Sequence, residues 1–388
     1  MRITAIREQT VPIHSDLQNA VIRFSEMTVS AVAILTDVVR DGHPLVGYGF
    51  HSNGRYGQSG LLRERFIPRL LRALPEDLLS DHRDNIDPFK AWRVMMANEK
   101  PGGHGERSVA VGTLDMALWD LIAKLEGQPL YRVLAGWYGG GEPDPDVYVY
   151  AAGGYYYPGK DVTALQDEIR RYLALGYDTV KIKIGGVPLD DDLRRIESVL
   201  EVVGEGSALA VDANGRFDVA TALQYAEALA QYGLKWYEEP CDPLDYQSLA
   251  QVARASTTPI ATGENLFSTI DTLNLIRYGC LNPERDFLQM DPALSYGLVE
   301  YLRTLETLHD NGWSSRRCIP HGGHQFALHL AAGLCLGGNE SYPGVFEPFG
   351  GFADGIPVEG GRVRLPDAPG IGIEQKESLR KVFEPLSA

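Results

Sequence analysis

Three acidic residues sit at the ends of short apolar runs: Asp212 in VDAN, Glu238 in YEEP and Glu264 in TGEN. Consecutive members are 26 residues apart, about the length of one strand–helix unit. If each run is a strand of one parallel sheet, the carboxylates stand side by side at its C-terminal edge. Oxygen-only ligands of this kind suit a hard cation such as Mg²⁺, which keeps positions for water or substrate. The three tetrapeptides contain no histidine or cysteine, which argues against zinc. Glu239 follows Glu238, but neighbours on a strand face opposite ways, so only Glu238 is assigned to the metal.

TVKIKIG places Lys181 and Lys183 two residues apart, on one face of a strand whose other face is apolar. Inward lysines are costly to bury unless they have a use. Each disfavours the charged form of the other, so the pair is expected to titrate well below the usual value of about 10.4, as a general base requires. His321 in CIPHGGH and Asp291 in QMDP end two consecutive runs. The carboxylate can then hold one ring nitrogen and leave the other for proton transfer. His324, past the two glycines, is expected to begin the next helix. Glu347, in FEPF at the last run, is expected to complete the polar ring. Lysines on one side of a metal and a histidine on the other suit removal of a proton alpha to a carboxylate and delivery of a proton opposite.

Positioning these groups requires a scaffold of repeated strand–helix units. Apolar runs begin at Val147, Thr179, Ala208, Lys235, Pro259, Phe287, Ser315 and Val345, with helical stretches between them. Eight such units predict closure into a barrel. An open doubly wound sheet is the alternative, weakened because no glycine-rich fingerprint follows the first strand. The chain has 388 residues, and a barrel alone takes about 250, which leaves room for a second domain. Met27–Val38 and Pro44–Phe50 read as strands. SVAVGTLDMALWDLIAKLEGQPL reads as a helix stopped by Gly127 and Pro129. The expected fold is α/β: an α+β capping domain over 1–140, a TIM-like (β/α) barrel over 141–355, and a segment 356–388 returning to the cap, with the boundary at GGGEPDPD.

The apolar fraction is 44% and the formal net charge −16. Nucleic acid is excluded as a partner, since phosphate binding needs a basic face. An anionic substrate needs a local cationic pocket. The four cysteines are scattered, as expected of reduced thiols in the cytoplasm. No run reaches membrane-spanning length and MRITAIREQT has no apolar signal region, so no membrane partner is expected.

Taken together, ERSVAVGTLDMALWDLIAKLEGQPLYRVLAG, the K-x-K pair, the acid triad and the Asp291–His321 pair resemble the enolase superfamily, and within it the mandelate racemase subgroup. The resemblance runs over almost the whole chain. It implies the barrel as modified in that superfamily, one Mg²⁺ per subunit, Lys183 as the base on one face, and a homo-oligomer. The sixth run carries Asp291 where the muconate cycloisomerases carry a lysine. The activity implied is Mg²⁺-dependent dehydration of a small hydroxy-carboxylate. Lys183 removes the α-proton, His321 protonates the departing β-hydroxyl, and Lys181 tunes Lys183. Extended to the segments MANEKPGGHGERS and PHGGHQFALH, the resemblance implies D-tartrate as substrate and oxaloacetate as product. Lys100 is then expected to meet the second carboxylate, with Asn19 and Tyr156 as further contacts. The alternatives are another acid-sugar dehydratase, a racemase or epimerase using the same pair, a Schiff-base aldolase barrel, and a non-catalytic binding protein on the same scaffold.

Overall fold

The computed structural model describes every residue except His14, Arg83 and Ala388. The chain opens with an antiparallel sheet of β1 (Ile3–Pro12), β2 (Thr28–Arg40) and β3 (His43–Phe50). Asp41 and Gly42 join β2 to β3 with φ of 52° and 83°, the positive values that a two-residue hairpin turn demands. On β3, Gly47 and Gly49 leave space for the helix Glu106–Glu126 to lie directly on the strand. A Cβ at Gly49 would sit 2.3 Å from the carbonyl oxygen of Thr113. That helix is buried on every side from Ser108 to Lys124, as expected of one enclosed between two layers. One side meets the sheet. The other meets the barrel, where the backbone N–H of Leu298 donates to Asp115 at 2.5 Å. The helix stops at Gly127, whose φ of 66° is left-handed.

The second body is a barrel. β4 (Val147–Ala152), β5 (Val180–Lys183), β6 (Leu209–Asp212), β7 (Tyr237–Glu238), β8 (Ile260–Thr262) and β9 (Phe287–Leu288) pair in parallel in chain order. Helices return between them, several begun by an aspartate or serine that accepts a backbone N–H from the first turn: Asp161, Asp218, Asp245 and Ser268. The seventh position is held by little regular structure. Cys318 makes one parallel bridge to Leu288, after a short helical turn at Ser315–Arg317. β10 (Asn339–Ser341) then pairs in parallel with β4 and closes the barrel.

The last strand is therefore not the run at Val345. Asn339, Glu340 and Ser341 are polar yet buried, so an apolar-run criterion passes over them. The apolar side chains of VFEPFG serve the cap instead. Phe346 packs on Phe24 at 4.7 Å and Phe349 on Phe50 at 5.2 Å between ring centroids.

The C-terminal residues divide between the two bodies. A hairpin of Val358–Glu359 and Arg362–Val363 extends the barrel beside β4. The helix Glu377–Ser387 lies on the cap sheet, with Phe383 against Tyr48 at 4.9 Å and Gln9 donating to the carbonyl of Val382 at 2.6 Å. Among the described residues no helix is long and apolar enough to cross a membrane.

Candidate active site

Parallel register brings the charged groups together. Lys183 on β5 is level with Asp212 on β6, and Asp212 with Glu238 on β7. Glu264 follows β8, Asp291 follows β9, His321 follows Cys318, and Glu340 lies on β10. All face the C-terminal mouth of the barrel, where (β/α) barrels carry their chemistry. Asp212, Glu238 and Glu264 each offer an oxygen within 4.8 Å of the others'. The second oxygen of Glu238 accepts from Trp236 Nε1 and Gln289 Nε2, both at 2.8 Å. Asp212 Oδ1 accepts from the backbone N–H of Asn214 at 2.8 Å. Such outer partners fix the orientation of metal-ligating carboxylates.

The donor set fits a hard divalent cation on charge as well as chemistry. Burial, and then the neighbouring charge of Asp212, push Glu238 up to about 8. A bound dication relieves that repulsion, and among the described residues this is the group whose geometry supports one.

Both lysines are buried and ion-paired. Lys181 Nζ is 2.6 Å from Glu238 and 2.8 Å from Glu340. Lys183 Nζ donates to Asp212 and lies 5.1 Å from the Tyr155 ring. Burial pulls both ammonium groups down, but Asp212 beside Lys183 and Glu238 beside Lys181 hold both above the ordinary lysine range. The expected mutual depression is thus outweighed by carboxylates nearer than the fellow lysine. A cation that draws on those same carboxylates weakens their hold on Lys183.

Across the mouth, His321 Nδ1 is 2.8 Å from Asp291. The other oxygen of Asp291 accepts from the backbone N–H of Ala293 at 2.7 Å. His321 Nε2 faces Tyr342 at 3.1 Å and Glu264 at 3.6 Å. Burial alone would lower this imidazole, but Glu264 and then Asp291 raise it to about 10. Both carboxylates favour the charged ring, and of the two only Asp291 stands outside the triad. His324 caps the helix Gln325–Gly333 and its Nε2 meets Ser52 of the cap at 2.9 Å.

Glu340, not Glu347, occupies the end of the last strand. Its carboxylate pairs with Lys181 and accepts from Tyr342 at 2.8 Å and from the backbone of Gly322 at 3.1 Å. Glu347 lies on the loop beyond, 48% exposed and paired with Lys376 at 2.9 Å. The sequence does carry a signal for Glu340. The pair Gly337–Gly338 ends the preceding helical stretch, and a strand can begin directly after it at NES.

A cavity of about 300 Å³ opens beside Glu264 of the triad, with Lys183, His321, Tyr155 and Tyr342 from the barrel and Asn19, Asn53 and Arg55 from the cap on its walls. Asn19 reaches it, although its own Oδ1 is engaged by the backbone of Val21 and Ile22 at 2.8 and 2.6 Å. Tyr156 does not; its hydroxyl donates to Asp192 at 2.8 Å and its ring lies under Arg195 at 4.1 Å. Its neighbour Tyr155 lines the cavity. Lys100 is exposed on the cap loop ahead of Glu106–Glu126, outside the cavity walls.

Residues 164–379, more than half of the chain, match the family described as enolase C-terminal domain-like, and the chain belongs to that family, within the enolase superfamily. It is 29% identical to the L-talarate/galactarate dehydratase of Salmonella typhimurium over 96% of this chain and 88% of that protein. A crystal structure of that dehydratase, with Mg and L-lyxarohydroxamate, superposes with a TM-score of 0.79 at 26% identity, covering 97% of this chain and 90% of the other. The arabinonate dehydratase of Saccharolobus solfataricus is 29% identical over 89% of this chain and 88% of its own. The 3,6-anhydro-alpha-L-galactonate cycloisomerase of Streptomyces coelicolor is 32% identical over 88% of both chains.

Proposed function

We propose that this chain is a Mg²⁺-dependent acid-sugar dehydratase. The observation that carries the reading is a buried histidine held at Nδ1 by Asp291, lining the same cavity as Lys183 beside a carboxylate triad. A lysine and an imidazolium supply a base and an acid to one substrate. When bound by Asp212, Glu238 and Glu264, Mg²⁺ supplies a Lewis acid for the negative charge that develops on the substrate carboxylate.

The chain's own residues divide the rest of the work. Lys183, as the free amine, accepts the α-proton, and the C–H electron pair becomes the new C=C bond of an enol. His321 gives its Nε2 proton to the β-hydroxyl, which leaves with its bonding pair as water. Ketonisation of the enol then yields the keto acid. Lys181 and Glu340, ion-paired with each other, hold the base side of the floor in register. Asn19, Asn53 and Arg55 of the cap form the wall facing these groups.

The narrower reading, D-tartrate to oxaloacetate, has weaker support than the general one. Two relatives are dehydratases named for talarate, galactarate and arabinonate, so acid sugars as a class are the better-supported substrates. The cycloisomerase relative favours a second reading, in which the same α-proton leaves but no water is lost. The test is incubation with D-tartrate, galactarate, talarate, arabinonate and gluconate, with and without Mg²⁺, followed by keto-acid detection. Keto acid from at least one substrate, abolished by chelation, supports the proposal. An isomer formed without loss of water overturns it in favour of the second reading.

A further inference from the structure

Among the described residues, the cavity wall holds one cation that proton transfer does not use. Arg55 comes from the cap loop between β3 and the helical turn at Ser59–Leu61, and it lines the wall shared with Lys183 and His321. The protein carries a net charge of −16, yet among the described residues Arg55 meets only neutral partners. One terminal nitrogen donates to the carbonyl of Gly54 at 2.7 Å and the other to Asn265 Oδ1 at 2.6 Å. The guanidinium lies 4.9 Å from the Phe267 ring centroid. Three acids share that wall: Glu264 belongs to the triad, and the other two accept hydrogen bonds from neighbours. Glu239 accepts from Asn265 Nδ2 at 2.9 and 3.0 Å, and Asp242 accepts from the backbone of Leu244 at 2.9 Å.

This guanidinium is placed by the fold. Glu239 binds the NH₂ end of Asn265, which turns the amide oxygen toward Arg55. Ser52, three residues before, is tied to His324 on the barrel at 2.9 Å. His51 accepts from the backbone of Ser30 at 3.0 Å and so anchors the loop to the cap sheet. Asn265 also adjoins the metal-ligand candidate Glu264, so Arg55 stands just beyond the triad on the cap side. A carboxylate is the group a fixed guanidinium recognises best, because two N–H bonds can run parallel to its two oxygens.

We propose that Arg55 binds the second carboxylate of a dicarboxylic substrate, so that this site takes acid-sugar diacids in preference to the matching monoacids. The inference rests on the acid-sugar reading above and narrows its substrate class. It gives Arg55 the role for which the resemblance offers Lys100 as a candidate.

The test is binding, measured by calorimetry with Mg²⁺ present, for three pairs matched in length: tartrate and threonate, arabinarate and arabinonate, galactarate and galactonate. Wild type is expected to bind the diacid of at least one pair on the order of 10²-fold more tightly than its monoacid, the range of a charge-assisted hydrogen-bonded contact. Arg55→Gln is expected to bring that ratio close to one, and Arg55→Lys, which keeps charge but not the fork, to leave part of it. Circular dichroism and thermal melting check that both variants fold. Three results overturn the proposal: a ratio unchanged in Arg55→Gln, no diacid preference in wild type, or no binding of any pair. Diacid preference without turnover sustains the Arg55 assignment and overturns the dehydratase reading. Turnover of monoacids as efficient as that of diacids does the reverse.

Discussion

Asp291 holds His321 by Nδ1 at 2.8 Å and is itself held by the backbone N–H of Ala293 at 2.7 Å. The carboxylate cannot rotate away without losing that second bond. The ring is therefore fixed with Nε2 toward the cavity, and its charged form is favoured. Burial works against the imidazolium, while Glu264 and then Asp291 raise its pKa from 6.5 to about 10. A raised pKa means that the acid form is present at low and neutral pH and is lost as pH rises through the raised value. Activity that depends on it falls on the alkaline side. In Asp291→Asn the alkaline limb of kcat/KM should move down by about 1–3 pH units, the effect of losing one adjacent opposite charge. A pH–rate profile of both proteins reads this directly, and an unmoved limb would show that Asp291 does not set the charge of His321.

Trp236 and Gln289 lie outside the cavity walls, yet both donate to one oxygen of Glu238 at 2.8 Å. Trp236→Phe and Gln289→Ala should each weaken Mg²⁺ binding by about 10–100-fold, as loss of an outer partner does at other metal sites. Titration of activity against Mg²⁺ measures it. Glu238→Gln should be more severe than either. A Mg²⁺ requirement unchanged from wild type in Glu238→Gln would remove Glu238 from the ligand set.

Gly49 predicts a stability effect away from the site. A methyl group there meets the carbonyl of Thr113 at 2.3 Å and the backbone nitrogen of Ala117 at 2.7 Å. Strand or helix must shift to admit it. Gly49→Ala should cost about 1–3 kcal/mol, the usual range for overpacking. Chemical denaturation of the variant beside wild type provides the value, and an unchanged midpoint would show that the cap sheet gives way freely.

Much of the site was legible because barrel geometry turns sequence spacing into adjacency. Asp212, Glu238 and Glu264 recur at one βα interval, and Lys181 and Lys183 share a face by strand alternation. Both patterns need only local rules. Glu340 escaped because its strand is three polar residues buried by closure of the barrel, a burial that no local apolar pattern announces. Glu347 was misplaced for the converse reason, since the aromatic residues around it bury against the cap. The direction of the lysine shifts was also out of reach. It depends on Asp212, Glu238 and Glu340, which come from three other strands. Arg55 and Lys100 both lie in cap loops, and only their folded paths decide which reaches the cavity.

The central claim is a division of labour: Lys183 takes the α-proton and His321 releases the hydroxyl. The most direct measurement is proton NMR of an acid-sugar substrate in deuterated solvent with Mg²⁺, for wild type, Lys183→Ala and His321→Asn. The account predicts keto acid from wild type and neither keto acid nor α-deuterium exchange from Lys183→Ala. For His321→Asn it predicts loss of keto acid by about 10²–10⁴-fold, the contribution of general acid catalysis, with α-deuterium still entering the recovered substrate. Keto acid formed at the wild-type rate by His321→Asn, or exchange that persists in Lys183→Ala, would contradict it.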